Sequence, residues 1–230
     1  MNIIRMILLI CIAIISSSEF IEFNTSAYGE QLDGKDDNNI NFHWAFCSLI
    51  KTAAGPEIGI INRDKILRSG DKIKFFIKME NNCFVYLIYK TSLGELKVLF
   101  PYRFDLSGNK HKFAKNNYIP QGNLWFELDE KTGFEKFYLL ASANQLNNLE
   151  NLLNEYQSSD SKARANLTNE IISEIKRLRK KHKKCQSAAE RPISIAGTVR
   201  GNGSNHDVAS TAVEISASQF YSRTFTIEHR

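Results

Sequence analysis

Two stretches decide the fold: residues 68–79 read R-S-G-D-K-I-K-F-F-I-K-M, and residues 85–101 read V-Y-L-I-Y-K-T-S-L-G-E-L-K-V-L-F-P. In the first stretch apolar residues alternate with lysines, which predicts a half-buried strand whose lysines, Lys74 among them, face solvent. The run from Cys83 to Tyr89, which leads into the second stretch, is apolar on both faces and predicts a central strand covered on both sides. Gly94 then predicts a turn into a further strand, so the stretch indicates a meander of antiparallel strands.

Patterns on either side extend this β-rich interpretation. Trp44–Ile50 and Glu57–Asn62 predict a first strand pair, and strand patterns resume after Pro192. Between residues 144 and 178, apolar residues recur at three and four residues, which predicts two amphipathic helices. The expected fold is mainly β (α+β), an antiparallel β-sandwich-like domain with an inserted αα-hairpin. The expected segments are a signal peptide over 1–18, a flexible leader over 19–40 and one β-rich domain over 41–230, with the helical insertion at about 143–185.

The N-terminus has the pattern of an export signal. Arg5 precedes an apolar run from Met6 to Ile15, and three serines follow that run. The run is too short to span a bilayer as a helix, so we expect cleavage near Ser18–Glu19, with Ala27–Tyr28 as a second choice, and no transmembrane span afterwards. The expected location is therefore the periplasm or outer envelope of a bacterium, with disulfide pairing among Cys47, Cys83 and Cys185 left open.

The β-rich stretch resembles a bacterial family known as domain of unknown function 4384, over about residues 60–145. The shared features are turn and core residues, namely Gly70-Asp71, Val85-Tyr86-Leu87, Gly94, Leu99-Phe100-Pro101, Ile119-Pro120 and Gly133-Phe134-Glu135. A weaker C-terminal echo lies at Thr198–Gly201 and Phe225–His229. The resemblance implies a non-catalytic module of envelope and signalling proteins. Such residues identify a fold and assign no mechanism.

We therefore expect an exported, non-enzymatic interaction or accessory module of the cell envelope, with another envelope protein as its partner. No catalytic set or cofactor motif is recognisable, and we expect no cofactor. The histidines never lie at metal-ligand spacing from one another, and cations surround the pair His182 and Cys185. An unrecognised hydrolase is one alternative, which needs a cleft that joins Cys47 or a serine to a histidine.

A second alternative is binding to an anionic surface or to lipid headgroups through the basic helix end, residues 176–184. No aromatic residue is interleaved there for base stacking, so we expect no nucleic-acid partner. The candidate cations are Lys176, Arg177, Arg179, Lys180, Lys181, Lys183 and Lys184.

Strand aromatics also provide candidate anchors for a peptide or glycan groove, namely Tyr86, Tyr102 and Trp125. Carboxylates beside the turns, such as Asp71 and Glu135, are expected to bond to local backbone amides. The sequence does not bring any two of these carboxylates together.

Overall fold

The computed structural model describes residues 38–53, 55–102, 115–183, 189–192 and 205–230. Within these ranges two β-sheets pack face to face, and an αα-hairpin covers the outer face of one of them. The antiparallel β-sandwich with an inserted helical hairpin, predicted from sequence, is therefore confirmed. No described helix combines the length and the apolar character needed to cross a bilayer.

Sheet A has the order β10-β11-β1-β4-β7, with β2 also pairing with β1 and β8 with β4. Its strands are β1 (Asn39–Thr52), β2 (Gly55–Ile60), β4 (Lys72–Met79), β7 (Asn117–Ile119), β8 (Phe126–Glu127), β10 (Ala189–Pro192) and β11 (Val213–Ser218). Sheet B has the order β3-β12-β9-β5-β6. Its strands are β3 (Lys65–Leu67), β5 (Phe84–Lys90), β6 (Leu96–Phe100), β9 (Gly133–Ser142) and β12 (Phe220–His229). The helices are α1 (Asn147–Ser158), α2 (Ser161–Lys181) and α3 (Asn205–Ser210).

The predicted strand pair is confirmed as β1 and β2, but the predicted meander is wrong. Strand β4 pairs with β1, β7 and β8, whereas β5 pairs with β6 and β9. The turn at Asn81 thus carries the chain from one sheet to the other. Facing sheets let the inward side chains of both strands, such as Ile77 and Val85, share one core.

An aromatic cluster fills the space between the sheets. Phe46 of β1 stacks on Phe75 of β4, with ring centroids 3.8 Å apart and planes 12° apart. From sheet B, Phe137 and Phe225 approach the same Phe46 ring at 5.1 and 5.3 Å. These stacked, tilted and edge-on contacts add to the hydrophobic effect of burying the rings. This cluster fixes how the two sheets face one another.

The other face of sheet B packs on the helical hairpin. Strand β5 was predicted to be covered on both faces, and it is: Val85 and Leu87 join the inter-sheet core, while Tyr86 and Ile88 contact the helices. Asp160 caps α2, since its side chain accepts a hydrogen bond from the Ala163 amide at 2.9 Å. The hairpin therefore packs on a sheet face and leaves one side of α2 in solvent.

Lys74 corrects the prediction that the lysines of β4 face solvent. Lys74 is fully buried, and its Nζ donates hydrogen bonds of 2.7 Å to the carbonyl oxygens of Gly122 and Leu124. The rings of Tyr118 and Trp125 lie 5.7 and 5.6 Å from the same ammonium. The outer face of sheet A is therefore covered here, because the segment after β7 folds back over it. Burial lowers the pKa of Lys74.

Several sequence predictions fall outside the described residues. These are the signal peptide, most of the leader, the strand predicted over 193–199, and the positions of Lys184 and Cys185. Strand β1 begins at Asn39, within the segment predicted as leader, and Ile40 is already buried in the core.

Candidate binding pocket

The basic helix end predicted from sequence divides into paired and unpaired cations. Arg177 forms an ion pair with Glu174, with Nε 2.6 Å from Oε2. Arg179 turns onto sheet B, where its guanidinium donates to the Ser222 and Thr224 hydroxyls at 2.7 and 2.5 Å. Both arginines are therefore engaged in contacts within the chain, Arg177 on α2 itself and Arg179 with β12.

The lysines of the same helix end are exposed to solvent, namely Lys176, Lys180, Lys181 and Lys183. Lys176 and Lys180 are one turn apart and share the outer face of α2, because Ile175 and Leu178 turn inward. This patch of four lysines is the part of the predicted site that remains available to a partner.

Of the three candidate groove aromatics, Tyr86 lies apart from Tyr102 and Trp125, which are both near Tyr118. Tyr86 is 1% exposed between sheet B and the helices, where its hydroxyl donates to Glu150 at 2.6 Å. The prediction that Tyr86 lines a groove is therefore wrong, because α1 covers it. Trp125 packs against the outer face of sheet A, and the Tyr102 hydroxyl donates to the Tyr118 carbonyl at 3.0 Å.

A pocket of about 220 Å³ opens at one end of the sandwich, where the two sheets part. Sheet A contributes Ile73 and Phe126, and sheet B contributes Tyr89, Leu99 and Phe137. The pocket rim is formed by two turns, residues 91–95 and 128–131.

Glycine at position 133 brings these parts together. Gly133 has φ +137°, and a Cβ added there would lie 2.7 Å from the Ser92 Cβ of the rim. Only glycine permits both this backbone conformation and this approach. Gly133 therefore lets β9 start against the 91–95 turn, which places Glu135 at the inner wall of the pocket.

Glu135 is the most unusual side chain of the pocket. It is 5% exposed, and its Oε1 lies 3.7 Å from Nδ1 of the fully buried His229 side chain. Its other oxygen, Oε2, accepts no hydrogen bond of ordinary length and angle from the described residues. Burial raises the pKa of the Glu135 carboxyl, although the Tyr89 hydroxyl and His229 oppose that rise. A carboxylate so placed favours a donor or a cation beside it.

Charged side chains of the pocket lining reinforce the preference of this site for a cation. Four carboxylates line the pocket and only two ammonium groups do. The carboxylates are Glu95, Glu127, Asp129 and Glu135, and the ammonium groups are Lys97 and Lys131. Glu127 of β8 already pairs with Lys72 at 3.1 Å. Three carboxylates then remain against two ammonium groups, so the pocket lining carries one net negative charge when all of these groups are ionised.

Behind the pocket, Ser69 and His229 raise the question of acyl-transfer chemistry. The Ser69 Oγ lies 3.1 Å from His229 Nε2, and the other ring nitrogen of His229 faces the Glu135 carboxyl. The three side chains therefore form a serine–histidine–glutamate series. A serine hydrolase also needs free amide donors for the oxyanion. Here the Ser69, Gly70 and Asp71 amides all donate to carbonyl oxygens, those of Arg230, Leu128 and Arg68 respectively. The described turn therefore holds no free donor pair, and the trio is better explained as a link between strand ends.

Cys47, the other sequence candidate for a nucleophile, is buried on the outer face of sheet A. Its Sγ lies 3.1 Å from the Thr211 hydroxyl, and burial raises its pKa to about 11. A thiol with that pKa is protonated at neutral pH and is a poor nucleophile. Cys83 is likewise buried.

The pocket was not predicted from the sequence, although the strand patterns contain a signal for it. On β9, Glu135 lies on the same face as the core residues Phe137 and Leu139, two and four positions further on. On β12, His229 lies on the same face as the core residues Phe225 and Ile227. Period-two alternation therefore places both polar side chains on the inner face of sheet B. The expectation that Glu135 bonds local amides is wrong, whereas Asp71 does so, accepting from the Arg68 amide at 2.9 Å.

Residues 66–145 match the model of a family described as a domain of unknown function (DUF4384). The match confirms the resemblance noted for this stretch, and it includes β4 to β9 with both rim turns and Glu135. A search of curated proteins and a search of solved structures found no match.

Proposed function

We propose that this chain, with its DUF4384 segment, is an exported, non-enzymatic interaction module of the bacterial cell envelope. Its partner is another envelope protein, which engages the pocket at the end of the sandwich. The observation that carries the proposal is the buried Glu135 carboxylate with an unsatisfied oxygen at the wall of a preformed pocket. Unpaired buried groups are rare in native proteins, so this carboxylate calls for a partner from outside the described residues, such as a ligand group, an ordered water or an ion.

Two further observations support binding over chemistry. The pocket mixes an apolar wall with a few convergent polar groups, which is typical of recognition sites. The described serine turn has no free amide pair, and the Cys47 thiol is buried away from solvent. The export assignment rests on the N-terminal sequence pattern alone.

A crosslinking pulldown from the native envelope tests this proposal with a matched pair of variants. Leu93 lies at the pocket rim and is 68% exposed, and Leu124 lies outside the pocket and is 69% exposed. Leu93→Arg adds a cation at the rim without disturbing the core, so we expect it to lose a partner that the wild-type protein retains. Leu124→Arg is expected to keep that partner. Retention of the partner by both variants, or its loss from both, would contradict a role for the pocket.

The exposed lysine patch of α2 favours a second candidate function, binding to an anionic membrane surface. Each lysine near such a surface contributes about 1 kcal/mol. Replacing Lys176, Lys180, Lys181 and Lys183 by serine is then expected to lower binding to vesicles that contain phosphatidylglycerol by more than about a hundredfold. Sedimentation with vesicles at low and high salt measures this effect.

The control for that experiment removes the same charge elsewhere. Lys51, Lys115, Lys136 and Lys162 are exposed and lie outside the α2 patch. If their joint replacement by serine weakens vesicle binding equally, net charge and not the patch is responsible.

A further inference from the structure

We propose that the pocket recognises a single lysine or arginine side chain of the partner, with the cationic head beside Glu135 and the aliphatic stem along the apolar wall. This inference rests on the proposed function and specifies the chemistry of its site. It is carried by three observations: the unpaired carboxylate oxygen of Glu135, the size of the pocket and the net charge of its lining.

The orphaned oxygen defines what is missing from the site. Oε2 of Glu135 is buried and accepts no hydrogen bond of ordinary geometry from the described residues, although the Tyr89 hydroxyl interacts with the same carboxyl. Oε1 lies 3.7 Å from His229 Nδ1, which is also buried without a hydrogen-bond partner among the described residues. A second carboxylate or a phosphate would be repelled there. An ammonium or guanidinium group supplies both the hydrogen bond and the charge, and such charge-assisted bonds are about twice as strong as neutral ones.

The size of the pocket selects one side chain. Its volume of about 220 Å³ lies below the roughly 300–1,000 Å³ typical of pockets for small-molecule ligands. The extended side chain of lysine or of arginine fits such a space, and its aliphatic stem would replace water against Leu99 and Phe126.

The aromatic rings add to the preference for a cation. Tyr89 and Phe137 stack with centroids 4.7 Å apart, and both line the pocket together with Phe126. Aromatic faces attract ammonium and guanidinium groups by cation–π interaction. A metal ion fits the site less well, since no group of three potential ligand residues is found among the described residues.

The test compares two capped amino acids on the full chain. N-acetyl-lysine methylamide carries the cation, and N-acetyl-norleucine methylamide has a stem of similar shape without charge. Two-dimensional NMR titration, followed at the amides of residues 91–95 and 128–131, measures both affinities. We expect the lysine compound to bind at least about tenfold more tightly. Equal binding of the two compounds, or binding of neither, would overturn the proposal. Free butylamine in a third titration shows whether the peptide backbone contributes.

Variants then assign the preference to Glu135. Glu135→Gln is expected to lose the preference for lysine over norleucine. The matched control is Glu150→Gln, which makes the same change at another buried carboxyl on the opposite face of sheet B, and it should keep the preference. If Glu135→Gln does not fold, the comparison of the two compounds on the wild-type chain still decides the proposal.

The pH dependence provides an independent measurement. Three titratable groups act on Glu135: Tyr89 of β5, His229 of β12 and Asp129 of the rim. The other charged side chains of the pocket lining on this side are Glu95, Lys97 and Lys131. Its raised pKa means that its charge is lost at a higher pH than the ordinary value of 4.5. Lysine binding should therefore weaken as the pH falls through that raised pKa. A His229→Gln variant, titrated in parallel, separates this effect from protonation of the imidazole. An unchanged affinity at acidic pH would contradict the role of Glu135.

Failure of this inference is distinguishable from failure of the proposed function. If Leu93→Arg loses the envelope partner while Glu135→Gln keeps it, the partner engages the 91–95 turn but not through a cation beside Glu135.

Discussion

Replacing Phe46 by alanine is expected to lower the free energy of unfolding by about 3–5 kcal/mol. Phe46 is fully buried, and its ring contacts Phe75, Phe137 and Phe225, so it touches both sheets at once. Alanine removes the ring and leaves a cavity that two β-sheets cannot close by a small movement. Since the whole stability of a domain is about 5–15 kcal/mol, this loss is a large fraction of it.

Urea unfolding followed by tryptophan fluorescence measures the effect of Phe46→Ala. The matched control is Phe134→Ala, because Phe134 is 62% exposed on β9. That control should change the free energy of unfolding by less than about 0.5 kcal/mol. The midpoint should fall in Phe46→Ala with little change in slope, since the surface exposed on unfolding stays similar. Equal midpoints for the two variants would show that Phe46 does not join the sheets.

The same cluster connects the core to the pocket. Phe46 contacts Phe137, Phe137 stacks on Tyr89, and Tyr89 lies beside Glu135. A well-packed core holds such side chains in single rotamers, and a preformed pocket depends on that order. The packing of the two sheets therefore sets both the stability of the domain and the shape of the pocket.

Local patterns in the sequence predicted the longer elements, but not the short strand β3 or the short helix α3. The unbroken apolar run of β5 requires cover on two faces, and the leucine period of α1 and α2 requires a helical face, so both were predicted correctly. The pairing of strands was not predicted correctly, because the choice of sheet depends on which distant partner covers each face. A turn such as the one at Asn81 connects strands of one sheet or of two equally well.

The candidate site was harder to predict for the same reason. Glu135 and His229 lie 94 residues apart in the chain, and only the register of β9 with β12 brings them together. Tyr86 was predicted at a groove and is buried, because α1 folds over it from 60 residues away. In each case the environment of the side chain comes from a distant segment, whereas the secondary structure comes from its neighbours.

Lys74 is the clearest example, and Lys74→Glu is expected to lower the free energy of unfolding by about 3–5 kcal/mol. The native ammonium donates to the carbonyl oxygens of Gly122 and Leu124 beneath two aromatic rings. A carboxylate in the same place would face those oxygens with like partial charge and have no cation beside it. Lys74→Met keeps the unbranched stem and removes the charge, so it should cost much less than Lys74→Glu.

Lys72→Glu is the control for Lys74→Glu, because Lys72 lies on the same face of β4. Lys72 pairs with Glu127 at the surface, and such exposed ion pairs contribute about 0–1 kcal/mol to stability. Thermal and urea unfolding of the three variants measure the difference. Because the segment bonded by Lys74 leads directly into Phe126 of the pocket, Lys74→Glu should also weaken binding of N-acetyl-lysine methylamide. A Lys74→Glu protein as stable as Lys72→Glu would mean that the segment after β7 does not cover sheet A in solution. The apolar wall at Phe126 would then have no fixed support.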